Sequence, residues 1–237
     1  MPLFWAEVRG PNKCVYHACS LAMRSDEPEL IQLAGNQMSP RLTNAPRLSS
    51  DIKDVGGAHV VTGGLGGLGL LTGRWLASQG ATSVLLVSRS GRMARSGAFE
   101  RSLLEQTLAE VQIQCGDVAD QVGAHRLIST MTGGGIPQMR GLWHAAGVLA
   151  DAVLAQQSED GLHRVYAPKV IGARALQTVS VVANLCSCVL FSSVAALLGG
   201  AGQANYSAAN ACLDACETAR RARGVVGTST QWGRGQR

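Results

Sequence analysis

Short apolar runs alternate with amphipathic stretches along this chain from Ala58 to Trp232. The run Ala58-His59-Val60-Val61-Thr62 ends in glycines, which predicts a strand entering a turn. Leu68–Gln79 follows as a helix, with Leu68, Leu71, Trp75 and Leu76 on about one face and Gly80 at the position of a left-handed cap. The pattern then predicts a strand over Ser83–Arg89, a helix around Phe99–Ala109, a strand over Val111–Val118, a helix around Gln121–Met131 and a strand within Met139–Gly147. Ser158–Val179 reads as helical, kinked or restarted at Pro168. Cys188–Val194 is the next strand, Tyr206–Arg223 a long helix closed by Gly224, and Val225–Trp232 a sixth strand. Strands alternating with helices build βαβ units, and right-handed crossovers arrange these as a Rossmann-type, doubly wound parallel sheet of the α/β class.

Residues 1–55 differ: they are rich in Pro, Asn, Ser and charge and lack sustained periodicity. A short helix is expected between Cys19 and Leu33, and Ser39–Ser50 reads as an extended linker because each proline biases its predecessor away from helix. The chain therefore divides into an N-terminal extension over 1–55 and an α/β domain over 56–237.

Composition changes this picture little. The apolar mass is mostly Ala, Val and Leu, which suits buried parallel strands. The net charge of +5 comes from scattered arginines without a dense basic run, so no nucleic-acid face is expected. The seven cysteines form no CxxC pair and no cluster of zinc-finger spacing; they read as reduced, mostly buried thiols of a cytoplasmic protein. No apolar run reaches membrane-spanning length, and the first residues lack the build of a secretory signal.

The chemistry begins at the end of the first strand of the domain, in Thr62-Gly63-Gly64-Leu65-Gly66-Gly67-Leu68-Gly69. Glycines there permit a sharp turn, close approach of a diphosphate and tight packing of the helix, whose first N–H groups face the phosphates. The second strand ends at Ser88-Arg89, with Arg92 and Arg95 nearby. A guanidinium where a carboxylate would hold a ribose 2′-hydroxyl favours a 2′-phosphate, hence NADPH over NADH. Asp117-Val118 closes the third strand, where Asp117 either accepts from the adenine amino group or caps the next helix. At the end of the fourth, the small residues of His144-Ala145-Ala146-Gly147 let the backbone lie against the adenosine ribose, with His144 itself reading as structural rather than acid–base.

Reduction of a ketone needs a hydride, which a nicotinamide supplies, and a proton, which the protein delivers while polarising the carbonyl. A tyrosine can deliver it when a nearby cation stabilises the phenolate, and a serine hydroxyl can hold the carbonyl oxygen. Ser193 at the end of the fifth strand and Tyr206 at the mouth of the following helix both fall beyond the carboxyl ends of the strands, where ligands bind. Asn210 follows Tyr206 by one helical turn, and Lys169 lies earlier in the chain.

Together these motifs resemble the short-chain dehydrogenase/reductases. TGGLGGLG matches the superfamily's TGxxxGxG loop, and Ser193 and Tyr206 have its usual separation. Most members carry Lys four residues after the Tyr, where this chain has Asn210. That exchange is similar to the ketoreductase domains of polyketide and animal-type fatty-acid synthases, in which Lys and Asn swap places in sequence but reach the same site. APKVIGA around Lys169, LFSSVA around Ser193, NYSAANACLD around Tyr206 and Asn210, HAAGVLADAVL and the final QWG all fit, over about residues 55–233. The resemblance implies that Tyr206 donates the proton, Lys169 tunes it and holds the nicotinamide ribose, and Ser193 binds the substrate carbonyl. It also implies that Asn210 supports Lys169 and an ordered water. The implied substrate is a β-ketoacyl thioester on the phosphopantetheine arm of an acyl carrier protein, beside other synthase domains, with polyketide service the better fit.

Members forming the D-hydroxyl share an LDD motif, which here reads Leu149-Ala150-Asp151; members of the other class carry Trp eight residues before the tyrosine, where this chain has Leu198. Asp151 therefore implies the D-hydroxyl, the B-type. Residues before 55 resemble the tail of the noncatalytic structural half of such domains. Beyond Gly233 the family continues into a substrate loop, a lid helix and a last strand, so the reading is of a C-terminally truncated domain with a chemically complete but sterically open site. The alternative is a noncatalytic NADPH-binding or structural module of a synthase.

Overall fold

The computed structural model describes residues 5–8, 29–33, 36–38, 55–93, 97–132, 139–179 and 185–233. The chain forms two compact units, Met1–Asp51 and Ile52–Arg237. In the first, β1 (Trp5–Val8) pairs parallel with β2 (Glu29–Leu33), which pairs antiparallel with β3 (Asn36–Met38). The helix expected between Cys19 and Leu33 is thus replaced by strand over Glu29–Leu33, where ladder pairing on both sides overrides a weak local preference. The linker expected over Ser39–Ser50 lies outside the described residues.

The second unit is a six-stranded, all-parallel sheet: β4 (Ala58–Thr62), β5 (Ser83–Ser88), β6 (Glu110–Cys115), β7 (Met139–His144), β8 (Ser187–Ser193) and β9 (Thr228–Trp232), in the order β6-β5-β4-β7-β8-β9. This is the doubly wound Rossmann arrangement. From β4 the chain winds outward to β6, then crosses back to β7 and winds the other way. A crevice opens where the connections diverge, beyond the carboxyl ends of β4 and β7.

The central strands are apolar along their length because helices cover both faces. All five residues of β4 are buried, as are the first five of β5. Their side chains alternate between two cores. Val60, Leu85 and Val87 join Leu127, Leu142 and Leu176 on one face, while Val61, Val84 and Leu86 join Leu70, Leu76 and Leu104 on the other.

The helices are α1 (Gly67–Ser78), α2 (Ala98–Leu104), α3 (Gln121–Thr132), α4 (Glu159–Tyr166), α5 (Gly172–Val179), the short α6 (Ala195–Leu198) and α7 (Ala204–Ala222). None among the described residues is long and apolar enough to cross a membrane. On α1 the buried face is Gly69, Leu70, Thr72, Gly73 and Leu76, whereas Leu68 and Leu71 are exposed. The apolar stripe expected from Leu68 and Leu71 is displaced because glycine, invisible to hydrophobic periodicity, forms the packing face: a Cβ on Gly73 would lie 3.0 Å from Leu86 Cδ2. Gly80 and Gly224 take the left-handed conformation where the pattern placed helix ends. The interruption at Pro168 is a π-helical turn over Ala167–Ile171 that joins α4 to α5. Of the described cysteines only Cys188 is buried, and Cys115 and Cys186 are exposed, so the expectation of mostly buried thiols does not hold for these residues.

Candidate active site

Two clefts meet above the crevice. The larger, of about 720 Å³, is lined by Thr62, Gly63, Leu65 and Gly66 of the glycine loop, Ser88, Arg89 and Arg92 after β5, Asp117 and Val118 after β6, and Ala145–Val148 after β7. The smaller, of about 290 Å³, is lined by Leu68, Lys169, Phe191, Ser192, Ser193, Tyr206 and Trp232, and it shares Ala145, Gly147 and Val148 with the larger. A ligand that runs the length of the first therefore reaches the second at that shared wall.

The loop is shaped for an elongated anionic ligand. Gly63 has φ 70°, and a Cβ there would strike the backbone at Ala146 N, 2.6 Å away, so only glycine permits this approach of the β4 turn to the β7 loop. The α1 N-terminus has no side-chain cap, which leaves its first N–H groups free for phosphate. Gly64 and Gly69 line neither cleft; they pack against the Leu86 Cα and the Gly63 carbonyl. Gly67 faces open space. Asp117 Oδ1 accepts from Ala119 N at 2.9 Å in a local turn, and the cap of α3 is Asp120, whose carboxylate accepts from Val122 N and Gly123 N. The capping alternative for Asp117 is thereby excluded, and its cleft position stands. Arg89 and Arg92 are exposed at the rim; Arg95 lies outside the described residues. A cradle of this length, with bare N–H groups at one end and guanidinium groups at the other, fits a nicotinamide dinucleotide.

The four residues expected to act together come from three elements, and Lys169, Ser193 and Tyr206 line the smaller cleft while Asn210 does not. Lys169 projects from the π-helical turn and is 4% exposed. Its Nζ donates to the Phe191 carbonyl at 3.0 Å and sits 5.2 Å from the centre of the Tyr206 ring. Burial pushes the Lys169 ammonium down to about 8, against the opposing pull of the Asp214 carboxylate. A Cβ on Gly147 would lie 2.9 Å from Lys169 Cε, so glycine there lets the lysine stem pass. Ser193 Oγ accepts from Ala195 N at 3.1 Å, which leaves its own hydrogen free for a carbonyl oxygen. Asn210 Nδ2 donates to the Tyr206 carbonyl at 2.8 Å, and its Oδ1 is buried with no hydrogen-bond partner among the described residues.

Residues that the sequence did not single out fix these in place. Asn205 Oδ1 accepts from Tyr206 N at 2.7 Å while its Nδ2 donates to the Ala150 carbonyl at 2.8 Å, tying the mouth of α7 to the loop after β7. Gln203 Nε2 donates to Asp151 Oδ2 at 3.2 Å, so the exposed Asp151 is held toward α7. Ser192 Oγ donates to the Asn210 carbonyl at 3.2 Å. Asp214 on α7 accepts from Ser229 Oγ and from Gln231 Nε2, which straps β9 to the helix. Hydrogen-bonding support of this kind has no sequence period. His144, expected along the cofactor with Ala145–Gly147, is instead fully buried and lines neither cleft; bonded to Thr62 and to the Lys169 carbonyl, it is placed as a structural rather than an acid–base histidine.

Comparison with known proteins places the domain in a family. Residues 57–236 match the model of the KR domain family. A mycocerosic acid synthase-like polyketide synthase of Mycolicibacterium smegmatis is 41% identical over 182 residues, which are 75% of this chain and 8% of that protein. A phthioceranic/hydroxyphthioceranic acid synthase of Mycobacterium tuberculosis is 38% identical over 200 residues, 83% of this chain and 9% of the relative. The match thus spans less than a tenth of each of these two relatives. Among solved structures, an A-type ketoreductase from a modular polyketide synthase superposes with a TM-score of 0.80 at 34% identity, covering 91% of this chain and 46% of the other. The ketoreductase of the first module of phoslactomycin biosynthesis in Streptomyces sp. HK803 does so with 0.80 at 33%, covering 90% and 50%. On the family match and the superpositions, the chain belongs to the KR domain family, the ketoreductases of polyketide synthases, and is an oxidoreductase of the β-ketoacyl reductase class.

Proposed function

We propose that this domain uses NADPH to reduce the β-keto group of an acyl thioester, presented on the phosphopantetheine arm of an acyl carrier protein, to a D-configured hydroxyl during polyketide assembly. The observation that carries the reading is the convergence of Lys169, Ser193 and Tyr206 on a cleft that shares a wall with the dinucleotide cradle. NADPH, when bound, supplies the hydride. The glycine loop and the α1 N-terminus would hold its diphosphate, Arg89 and Arg92 its 2′-phosphate, Asp117 and Val118 its adenine, and Lys169 its nicotinamide ribose.

The chain's own residues do the rest. The Ser193 hydroxyl donates to the substrate carbonyl oxygen and polarises it. The Tyr206 hydroxyl delivers the proton to that oxygen as negative charge develops there. The Lys169 ammonium, beside the Tyr206 ring, stabilises the phenolate left behind; one of its three N–H donors is engaged by Phe191 and the others remain for the ribose. The unpaired Oδ1 of Asn210 offers a buried acceptor for the water of a proton relay toward Lys169. The D-hydroxyl rests on Asp151, held by Gln203 at the start of α7, and on Leu198 in place of a tryptophan. Similarity of fold does not choose the hand, because A-type and C2-type ketoreductases both superpose well.

The test is NADPH oxidation with a β-ketoacyl thioester or a cyclic ketone, the wild type beside Tyr206→Phe, with NADPH binding measured on both and product configuration read by chiral chromatography. Tyr206→Phe is expected to lose turnover by about 10²–10⁴-fold while binding NADPH normally. Binding without turnover in the wild type would instead support a noncatalytic module.

A further inference from the structure

His144 stands between the two functional halves and touches neither cleft. Its ring, 0% exposed, has Nδ1 2.6 Å from Thr62 Oγ1 and Nε2 3.1 Å from the Lys169 carbonyl oxygen. A carbonyl can only accept, so Nε2 carries the proton. A neutral ring then has its lone pair at Nδ1, and the Thr62 hydroxyl must donate to it. Burial keeps the ring neutral by pushing His144 down to about 4. Every hydrogen bond in the line from Thr62 through His144 to Lys169 therefore has a fixed direction.

The surroundings hold the ring where it is. Thr62 and His144 are register partners across β4 and β7, each the last residue of its strand. A Cβ on Gly172 would lie 3.3 Å from His144 Cε1, so the end of the π-helical turn packs directly on the imidazole. That turn carries Lys169. The carbonyl that His144 binds belongs to Lys169 itself, within that turn. His144 fixes the backbone end of Lys169, as the Phe191 carbonyl fixes its ammonium end.

We propose that His144 is a positioning residue for Lys169: its Nε2–H, set in one tautomer by Thr62, pins the Lys169 carbonyl and so aims the ammonium at Tyr206 and at the wall shared by the two clefts. The proposal rests on the reductase reading above.

Two variants separate the ends of the ring. The amide nitrogen of His144→Gln can take the place of Nε2 and still donate to Lys169, whereas the shorter His144→Asn reaches only toward Thr62. The expected result is a folded His144→Asn protein with kcat lowered about tenfold or more, and recovery in His144→Gln to within about threefold of wild type. The Lys169 titration midpoint, followed by NMR of lysine labelled with carbon-13, should shift in the Asn variant and not in the Gln variant. Equal kcat in the two variants, or an unmoved Lys169 midpoint in His144→Asn, overturns the proposal. If neither variant folds, histidine nitrogen-15 NMR of the wild type decides: a neutral Nε2–H ring at pH 7 supports it, and an Nδ1–H ring or an imidazolium overturns it. If the wild type has no reductase activity, the reading of the site fails, while the tautomer and the lysine titration still test the positioning role.

Discussion

The half of the sheet that carries the glycine loop and the half that carries Tyr206 bury different things. From β4 to β6 the buried polar residues among those described are His59, Thr62, Thr72 and Ser83, and the cleft beside the loop is walled largely by backbone N–H groups and bare glycine. From β7 onward they are His144, Lys169, Ser192, Asn205, Asn210 and Glu217, two of them lining the smaller cleft and three more bonded to its residues or loop. A cradle for phosphates can be built from main chain, which costs no buried charge. Proton delivery needs side chains held in a dry place, and these oppose folding. Removing the buried charge of the second half should therefore trade activity for stability.

Lys169→Met should expose that contrast most strongly. With its ammonium pushed down to about 8 by burial, the folded chain holds the charged lysine less favourably than the unfolded chain, a deficit of about 3 kcal/mol below pH 8. Methionine of similar length removes the deficit and forfeits the hydrogen bond to Phe191. Turnover should fall by about 10²–10⁴-fold while urea denaturation shows a gain of about 1–2 kcal/mol. A variant that is both inactive and clearly less stable would erase the contrast.

Acid tests the same idea without substitution. An unfolded histidine protonates near pH 6.5, whereas His144 is pushed down to about 4 and His59 is lowered too, both chiefly by burial. Above pH 6.5 neither affects the balance. Between pH 6.5 and 4 the unfolded chain takes up protons that the native chain refuses, so stability falls as pH drops, by up to about 3 kcal/mol from His144. Glu217, raised by burial, acts in the opposite sense, since the native carboxyl holds its proton to higher pH. The His144 part is isolated by comparing urea midpoints of wild type and His144→Gln at pH 7.5 and 4.5. An equal acid loss in both would show that the histidine is not its source.

What the sequence revealed divides along the same line. Six strands, the glycine loop and the doubly wound parallel class were legible because β-branched runs, glycine turns and helix periodicity are local signals, whereas the strand order came only from the structure. Lys169, Ser193, Tyr206 and Asn210 were legible as a family pattern; the first three line one cleft, while Asn210 bonds the Tyr206 carbonyl behind it. The supporting contacts were not legible. Asn205, Asp214 and the Phe191 carbonyl act through partners brought close by tertiary structure, and a main-chain acceptor carries no residue identity. On α1 the stripe was misjudged because glycine forms the packing face. The first unit misled for a related reason: Glu29–Leu33 is held in a ladder by partners on both sides, one of them far off in sequence at Trp5–Val8.

In the first half, where backbone does most of the recognition, one side chain should still matter. Arg89 lines the far end of the cradle and is exposed there. Arg89→Ala should raise the KM for NADPH about tenfold, leave that for NADH within about twofold, and leave the melting temperature unchanged. Parallel changes for both cofactors would assign the 2′-phosphate to Arg92 or elsewhere.

The smallest effect probes a strap rather than a reacting group. Asp214 joins α7 to β9 through Ser229 and Gln231, and its charge opposes the loss of the Lys169 proton. In Asp214→Asn the amide can accept from Gln231 and donate to the Ser229 hydroxyl, so both contacts persist as neutral hydrogen bonds, weakened together by about 1 kcal/mol. Removing the negative charge also makes the Lys169 ammonium easier to deprotonate. If protonated Lys169 is the active form, the basic limb of the pH–rate profile should move to lower pH. A stability loss with an unmoved limb would make Asp214 a strap alone, and the electrostatic link across α7 to Lys169 would have to be abandoned. A moved limb would show that the folded edge of the sheet and the poise of the active-site lysine depend on the same carboxylate.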